Sequence, residues 1–129
     1  MAHILIVDDN PIMLRTLALI VKKTGHQTLV ANSGLKAIEM IKSVPVSLAI
    51  VDMNMPGMNG LGLVEHIRLH ETGSRLPIVF LTGSGRESDL KSAVELGIDE
   101  FLDKPVSSYE LRDVIQQLLQ DSVASDADA

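Results

Sequence analysis

Short apolar runs and stretches of helical period take turns along the chain. The strand-sized runs are His3–Val7, Thr28–Ala31, Leu48–Val51, Ile78–Leu81 and Glu100–Leu102. Between the first two, Leu14, Leu17, Ala18 and Val21 fall at i, i+3, i+4 and i+7, which is one face of a 3.6-residue helix. Gly60, Leu63, Val64 and Ile67 repeat the pattern, and so do Leu111, Val114, Ile115 and Leu118. Ala37, Ile38 and Ile41 mark a fourth helix, and Leu90, Ala93 and Val94 a shorter fifth. Strict alternation of strand and helix predicts parallel strands covered by helices on both faces, a doubly wound α/β sandwich.

Punctuation agrees with the periodicity. Asn10-Pro11 reads as an N-cap followed by proline at the first helical position, where a missing N–H costs nothing. Ser107 and Glu110 have the spacing of a capping box. Gly25, Gly73 and Gly97 each stand just past a helical pattern, where a left-handed residue closes a helix. The pattern predicts one domain over residues 1–120. The remainder, 121–129, is small, polar and acidic without periodicity, and is expected to form a disordered tail.

Composition narrows the chemistry. Of 129 residues 46% are hydrophobic but only 2% aromatic, so the core is built from aliphatic side chains. With no cysteine, disulfides, thiolate metal sites and thiol nucleophiles are excluded. No apolar run approaches membrane-spanning length and no secretory signal opens the chain, so a soluble cytoplasmic protein without membrane insertion is expected. A formal net charge of −6, with no run of Lys and Arg, argues against direct nucleic-acid binding.

In doubly wound sheets, functional groups gather beyond the carboxyl ends of the strands. Asp8 and Asp9 follow the first run, Asp52 the third, Thr82 the fourth and Lys104 the fifth. Singly, each has an ordinary explanation: an Asp after a strand is usually a turn or cap residue, and a Lys before Pro is usually just exposed. Together they place three carboxylates, a hydroxyl and an ammonium on one sheet edge. Three clustered acids repel one another unless a cation lies among them. Oxygen ligands without His or Cys suit Mg²⁺ rather than Zn²⁺. A cation beside a carboxylate nucleophile, with an ammonium and a hydroxyl opposite, is what phosphoryl transfer needs.

Four segments carry a family resemblance: Ile4-Leu5-Ile6-Val7-Asp8-Asp9-Asn10, Val51-Asp52-Met53-Asn54-Met55-Pro56-Gly57-Met58-Asn59-Gly60, Leu81-Thr82-Gly83, and Gly97-Ile98-Asp99-Glu100-Phe101-Leu102-Asp103-Lys104-Pro105. In this order the chain, over about residues 3–120, resembles the response-regulator receiver domains of two-component signal transduction. The resemblance implies a flavodoxin-like (CheY-like) five-stranded parallel sheet of order 2-1-3-4-5. It implies a signalling switch that takes a phosphoryl group on Asp52 from a phosphohistidine of a histidine kinase or histidine phosphotransfer protein. By the same resemblance Asp9 and Asp52 bind Mg²⁺ directly, Asp8 binds it through water, and Asn54 lends its backbone carbonyl. Thr82 and Lys104 hold phosphoryl oxygens, and a cis peptide precedes Pro105. Phe101 takes the place of the switch aromatic: as Thr82 moves toward the phosphoryl group, Phe101 turns into the vacated space, and a downstream protein target reads the changed surface. The chain is expected to assist only its own phosphorylation and dephosphorylation, and so not to be an enzyme.

Other features qualify this picture. Gly83 leaves room for an incoming phosphodonor. Ser84 and Asn54 line the route of the hydrolytic water and set the lifetime of the phosphorylated state, expected to be intermediate. Val106, where many relatives have an aromatic, has no functional reading. A Phe on a strand is more often plain core, but the spacing of Phe101 from Lys104 puts the switch reading ahead. His3, His26, His66 and His70 lack metal-ligand neighbours at useful spacing, and Met53, Met55 and Met58 read as gap-fillers. Gly83-Ser84-Gly85 lacks the lysine of a P-loop. An aspartyl-phosphate enzyme would want a second acid where Asn54 stands and room for a cap domain. A flavin carrier would want aromatics, and a silent receiver would have lost site residues. Lys91, Glu95, Arg112 and Gln116 form a candidate partner face.

Overall fold

The computed structural model describes residues 2–53, 55, 60–69, 76–83, 91, 93–104 and 106–128. Five strands, β1 (His3–Val7), β2 (Gln27–Ala31), β3 (Leu48–Asp52), β4 (Ile78–Thr82) and β5 (Glu100–Asp103), form one sheet. The helices are α1 (Pro11–Lys22), α2 (Gly34–Ser43), α3 (Gly60–Leu69), α4 (helical at 91 and 93–95) and α5 (Ser108–Asp128). All pairs are parallel and the order is β2-β1-β3-β4-β5, as the resemblance implied.

Two apolar layers sandwich the sheet. Ile4, Ile6, Leu48, Ile50, Val79 and Leu81 point to the layer shared with α1 and α5. Leu5, Val7, Ala49, Val51, Ile78 and Phe80 point to the layer shared with α2 and α3. β3 and β4 are buried at every position, which is why they read as unbroken apolar runs rather than alternating ones.

The helix signals are realised atom by atom. The Asn10 side chain accepts from the N–H groups of Ile12 (2.9 Å) and Met13 (3.3 Å), and Pro11 opens α1. The Ser107 hydroxyl accepts from Glu110 N–H at 3.4 Å. Gly25 and Gly97 hold φ of +88° and +78°. At Gly97 the N–H of Ile98 reaches back to Ala93 and that of Gly97 to Val94, a paired closure that needs the left-handed residue. Gly73 lies outside the described residues.

Several expected bounds differ from the structure: β2 starts one residue earlier, at Gln27, and β5 runs one further, to Asp103. β3 and β4 run one residue further than the apolar runs and take in Asp52 and Thr82, because Met53 N–H and Lys104 N–H continue the ladder to Leu81 O (3.0 Å) and Thr82 O (2.9 Å). Burial ends the hydrophobic pattern before hydrogen bonding ends the strand. The last helix also continues to Asp128, into the segment 121–129 expected to be a disordered tail. That segment contains no Gly or Pro to stop it, and a helix once nucleated adds a residue for each new hydrogen bond.

Candidate functional site

The site is assembled at the carboxyl edge of the sheet. β1 delivers Asp8, whose N–H still pairs with Ala31 O at 3.2 Å, and the chain then turns so that Asn10 N–H donates to Asp8 Oδ1 at 3.0 Å. Asp8 and Asp52 are 1% and 2% exposed, while Asp9 faces solvent. Carboxylate oxygens of Asp8, Asp9 and Asp52 all lie within 4.8 Å of one another. Lys104, the first residue after β5, places Nζ 2.9 Å from Asp52 Oδ1. Sequence reasoning brought these four residues together, and the fold does so.

The electrostatics are unbalanced. Among the described residues, three carboxylates face one ammonium at the edge of an apolar sheet. Burial raises the Asp8 carboxyl above its ordinary 3.8, and the charges of Asp52 and Asp9 add to this; the Asn10 N–H and the Lys104 ammonium oppose it. Asp8 Oδ2 is buried without a hydrogen-bond partner among the described residues. An orphaned buried oxygen, a donor set of oxygens only and, among the described residues, three carboxylates to one ammonium all fit a hard divalent cation here.

Thr82 ends β4, 3% exposed, and its Oγ1 is a second buried atom with no partner among the described residues. Strand alternation sets it on the face of Phe80, and Phe80 pairs in register with Phe101. The two rings meet edge-on with centroids 6.3 Å apart, and Phe101 is partly buried against the α2–α3 layer. Thr82 and Phe101 therefore lie on one sheet face, the geometry that an exchange of space between them requires. Asn54, Ser84, Gly85, Met58, His70, Leu90 and Pro105 lie outside the described residues. Met53 and Met55 are buried in the core, as gap-fillers would be.

Three features were not legible beforehand. Val106 closes a groove of about 250 Å³ with Ile12, Met13 and Ile20 of α1, next to Asn10. Ile12 is 76% exposed in it, and such a residue on a helix start was the available signal. Gly60 touches the backbone of Asp52 so closely that a Cβ there would lie 2.7 Å from Asp52 O. At the opposite end of the sheet the Arg68 guanidinium gathers three carbonyl oxygens. The candidate partner residues Lys91, Glu95, Arg112 and Gln116 are all exposed, with Val94 and Tyr109 beside them at 62% and 77%.

The profile of the response regulator receiver domain matches residues 4–116. The chain belongs to the response regulator receiver family. Among relatives, this receiver is 30% identical over 118 residues to chemotaxis protein CheY-3 of Vibrio cholerae, covering 91% of each. It is 34% identical over 116 residues to the sensor histidine kinase GacS of Pseudomonas protegens, covering 88% of this chain and 13% of that one. The chain spans 7–27% of the length of several longer relatives it matches. The signal receiver domain of a signal transduction histidine kinase from Syntrophus aciditrophicus superposes with a TM-score of 0.86 at 29% identity, over 94% of this chain and 92% of that one. No helix among the described residues is long and apolar enough to cross a membrane.

Proposed function

We propose that this receiver is a Mg²⁺-dependent signalling switch that accepts a phosphoryl group on Asp52 from a phosphohistidine of a histidine kinase or histidine phosphotransfer protein. The observation that carries the reading is the buried Asp52 carboxylate, ion-paired to Lys104 at 2.9 Å and set among two further carboxylates, with the Thr82 hydroxyl buried and unpartnered on the adjacent strand. Asp9 and Asp52 would hold the cation, with Asp8 acting through water and the carbonyl of Asn54 completing the set. The cation supplies charge neutralisation for the phosphoryl oxygens.

The chain's own residues do the rest. An Asp52 oxygen forms the bond to phosphorus as the nitrogen–phosphorus bond of the donor breaks, and the imidazole leaves with its electron pair. Lys104, a point charge on a flexible stem, follows one phosphoryl oxygen. The Thr82 hydroxyl donates to another, giving that orphaned group its partner, and Phe101 turns inward on the same face. A few kcal/mol of differential interaction is enough to bias two such packings. The groove between α1 and Val106 offers apolar ground beside Asn10 for the protein that brings the phosphohistidine. The face bearing Lys91, Glu95, Arg112 and Gln116 would present the changed surface to a downstream target. In this reading the protein acts in the cytoplasm and turns over no separate substrate.

Incubation with acetyl phosphate, read by intact mass, tests the chemistry. One added phosphoryl group that requires both Mg²⁺ and Asp52, and is lost in Asp52→Asn, is the expected result. A folded, Mg²⁺-binding protein whose mass never changes, even with a histidine phosphotransfer donor, would leave a silent binding module instead.

A further inference from the structure

α3 begins against the phosphoacceptor itself. Gly60, its first residue, is buried, and its N–H donates to Met53 O at 3.0 Å. A Cβ at this position would lie 2.7 Å from Asp52 O, 2.8 Å from Met53 Cα and 3.3 Å from Met53 O. All three are backbone atoms, so no side chain can swing aside. Gly60 is not among the glycines with positive φ. Space, not conformation, is what excludes a side chain here.

Neither partner in this contact is free to retreat. On one side the Asp52–Met53 peptide is held to the sheet, since Met53 N–H donates to Leu81 O at 3.0 Å. On the other, Leu63, Val64 and Ile67 sit at 0–1% exposure and lock α3 into the core. A methyl wedged between them must displace the peptide that carries the Asp52 side chain. That side chain meets Lys104 at 2.9 Å and shares a 4.8 Å cluster with Asp8 and Asp9, so its angle sets both the ion pair and the cation site.

We infer that Gly60 is a positioning residue for Asp52: the absence of a side chain lets α3 butt against the acceptor's peptide and fix the carboxylate in the direction that phosphoryl transfer needs. This rests on the function proposed above. Gly60 touches neither phosphoryl group nor cation, and acts through the backbone. A misplacement on the ångström scale of a reacting group lowers rates roughly tenfold to a hundredfold.

The test compares wild type, Gly60→Ala and Val21→Ala at a temperature where each is fully folded. Mg²⁺ affinity is read by calorimetry and the rate of phosphorylation by acetyl phosphate through intact mass. Val21→Ala opens the other apolar layer near the last turn of α1, away from Gly60 and Asp52, and is expected to lower the melting temperature while leaving affinity and rate near wild type. Gly60→Ala is expected to weaken Mg²⁺ binding and to slow phosphorylation by about tenfold or more. Wild-type affinity and rate in Gly60→Ala, with wild type itself phosphorylated, would overturn the inference alone. A wild type that neither binds Mg²⁺ nor gains a phosphoryl group would overturn the proposed function and this inference with it. Should Gly60→Ala fail to fold, the backbone amides of wild type decide. The Gly60 resonance must then shift on Mg²⁺ addition along with that of Asn10, and a Gly60 amide that stays put while Asn10 moves rejects the coupling.

Discussion

At the carboxyl edge of the sheet, Asp8 and Asp52 are buried beside solvent-facing Asp9; among the described residues one ammonium faces three carboxylates, and Asp8 Oδ2 and Thr82 Oγ1 have no partner. The amino edge also carries a partly buried charge, with a different result. There Arg68, at the end of α3, donates Nε–H to Leu96 O (3.0 Å), Nη1–H to Leu76 O (2.7 Å) and Nη2–H to Gly97 O (2.9 Å). Burial lowers the Arg68 pKa and the charge of Asp99 opposes that, while Asp99 itself accepts the Ile78 N–H at 2.8 Å. An arginine remains charged under any such pressure. Among the described residues, the fold thus closes its lower end with a satisfied charge and leaves its upper end with more carboxylates than ammonium groups and with two polar atoms lacking partners. The lower end stabilises the native state, and the upper end gives up some stability.

The comparison can be broken at either end. The largest effect belongs to Arg68→Met, which strips three carbonyls of their donor and should cost roughly 3 kcal/mol in urea unfolding. The phosphorylation rate of the folded protein should hold within about twofold; a slowed rate at full folding would show that the lower end is not purely structural. Next is the cation itself. Mg²⁺ at a hundredfold excess over its Kd should stabilise wild type by about 2.7 kcal/mol, and Asp8→Asn should lose most of that gain. Without any divalent ion the same substitution should stabilise the protein by on the order of 1 kcal/mol, the ordinary scale of one change. A destabilised, metal-free Asp8→Asn would mean that the upper end is not under charge stress.

Thr82→Val replaces an unpartnered buried hydroxyl with a methyl of similar shape. It should raise stability by about 1 kcal/mol while slowing phosphoryl uptake, and chemical unfolding beside intact mass checks both. The smallest effect is expected at Gly83, where a Cβ would stand 4.0 Å from Lys104 Cδ in ordinary contact. Gly83→Ala should change stability by no more than about 0.5 kcal/mol, mostly through the unfolded chain. A larger loss would place Gly83 among the residues that the upper end cannot alter.

How much of this was legible beforehand follows from which interactions are local. Strand and helix faces show in hydrophobic period, and caps such as Asn10 and Ser107 show because they act within three residues. Asp8, Asp52, Thr82 and Lys104 could be found because parallel topology sends every strand's carboxyl end to one edge. Ser33, which caps α2 with its hydroxyl on Lys36 N–H at 3.2 Å, passed unnoticed because no acidic residue followed to complete a capping box. Arg68 reads as a surface cation on a helix, since its partners at Leu96 and Gly97 stand 28 and 29 residues away. Gly60 passed for one more position of a helical stripe, because closeness between two backbones leaves no mark in hydropathy.

The order of the strands has a consequence for the life of the chain. Asp52 and Lys104 are 52 residues apart, and the remaining members of the site come from β1 and β4. No local segment of the nascent protein contains a working acceptor, and parallel pairings over such separations are among the slower steps of folding. The acidic edge exists only once β1, β3, β4 and β5 have found their places. Competence to receive a signal therefore arrives together with the finished fold, and a misassembled copy is silent by construction.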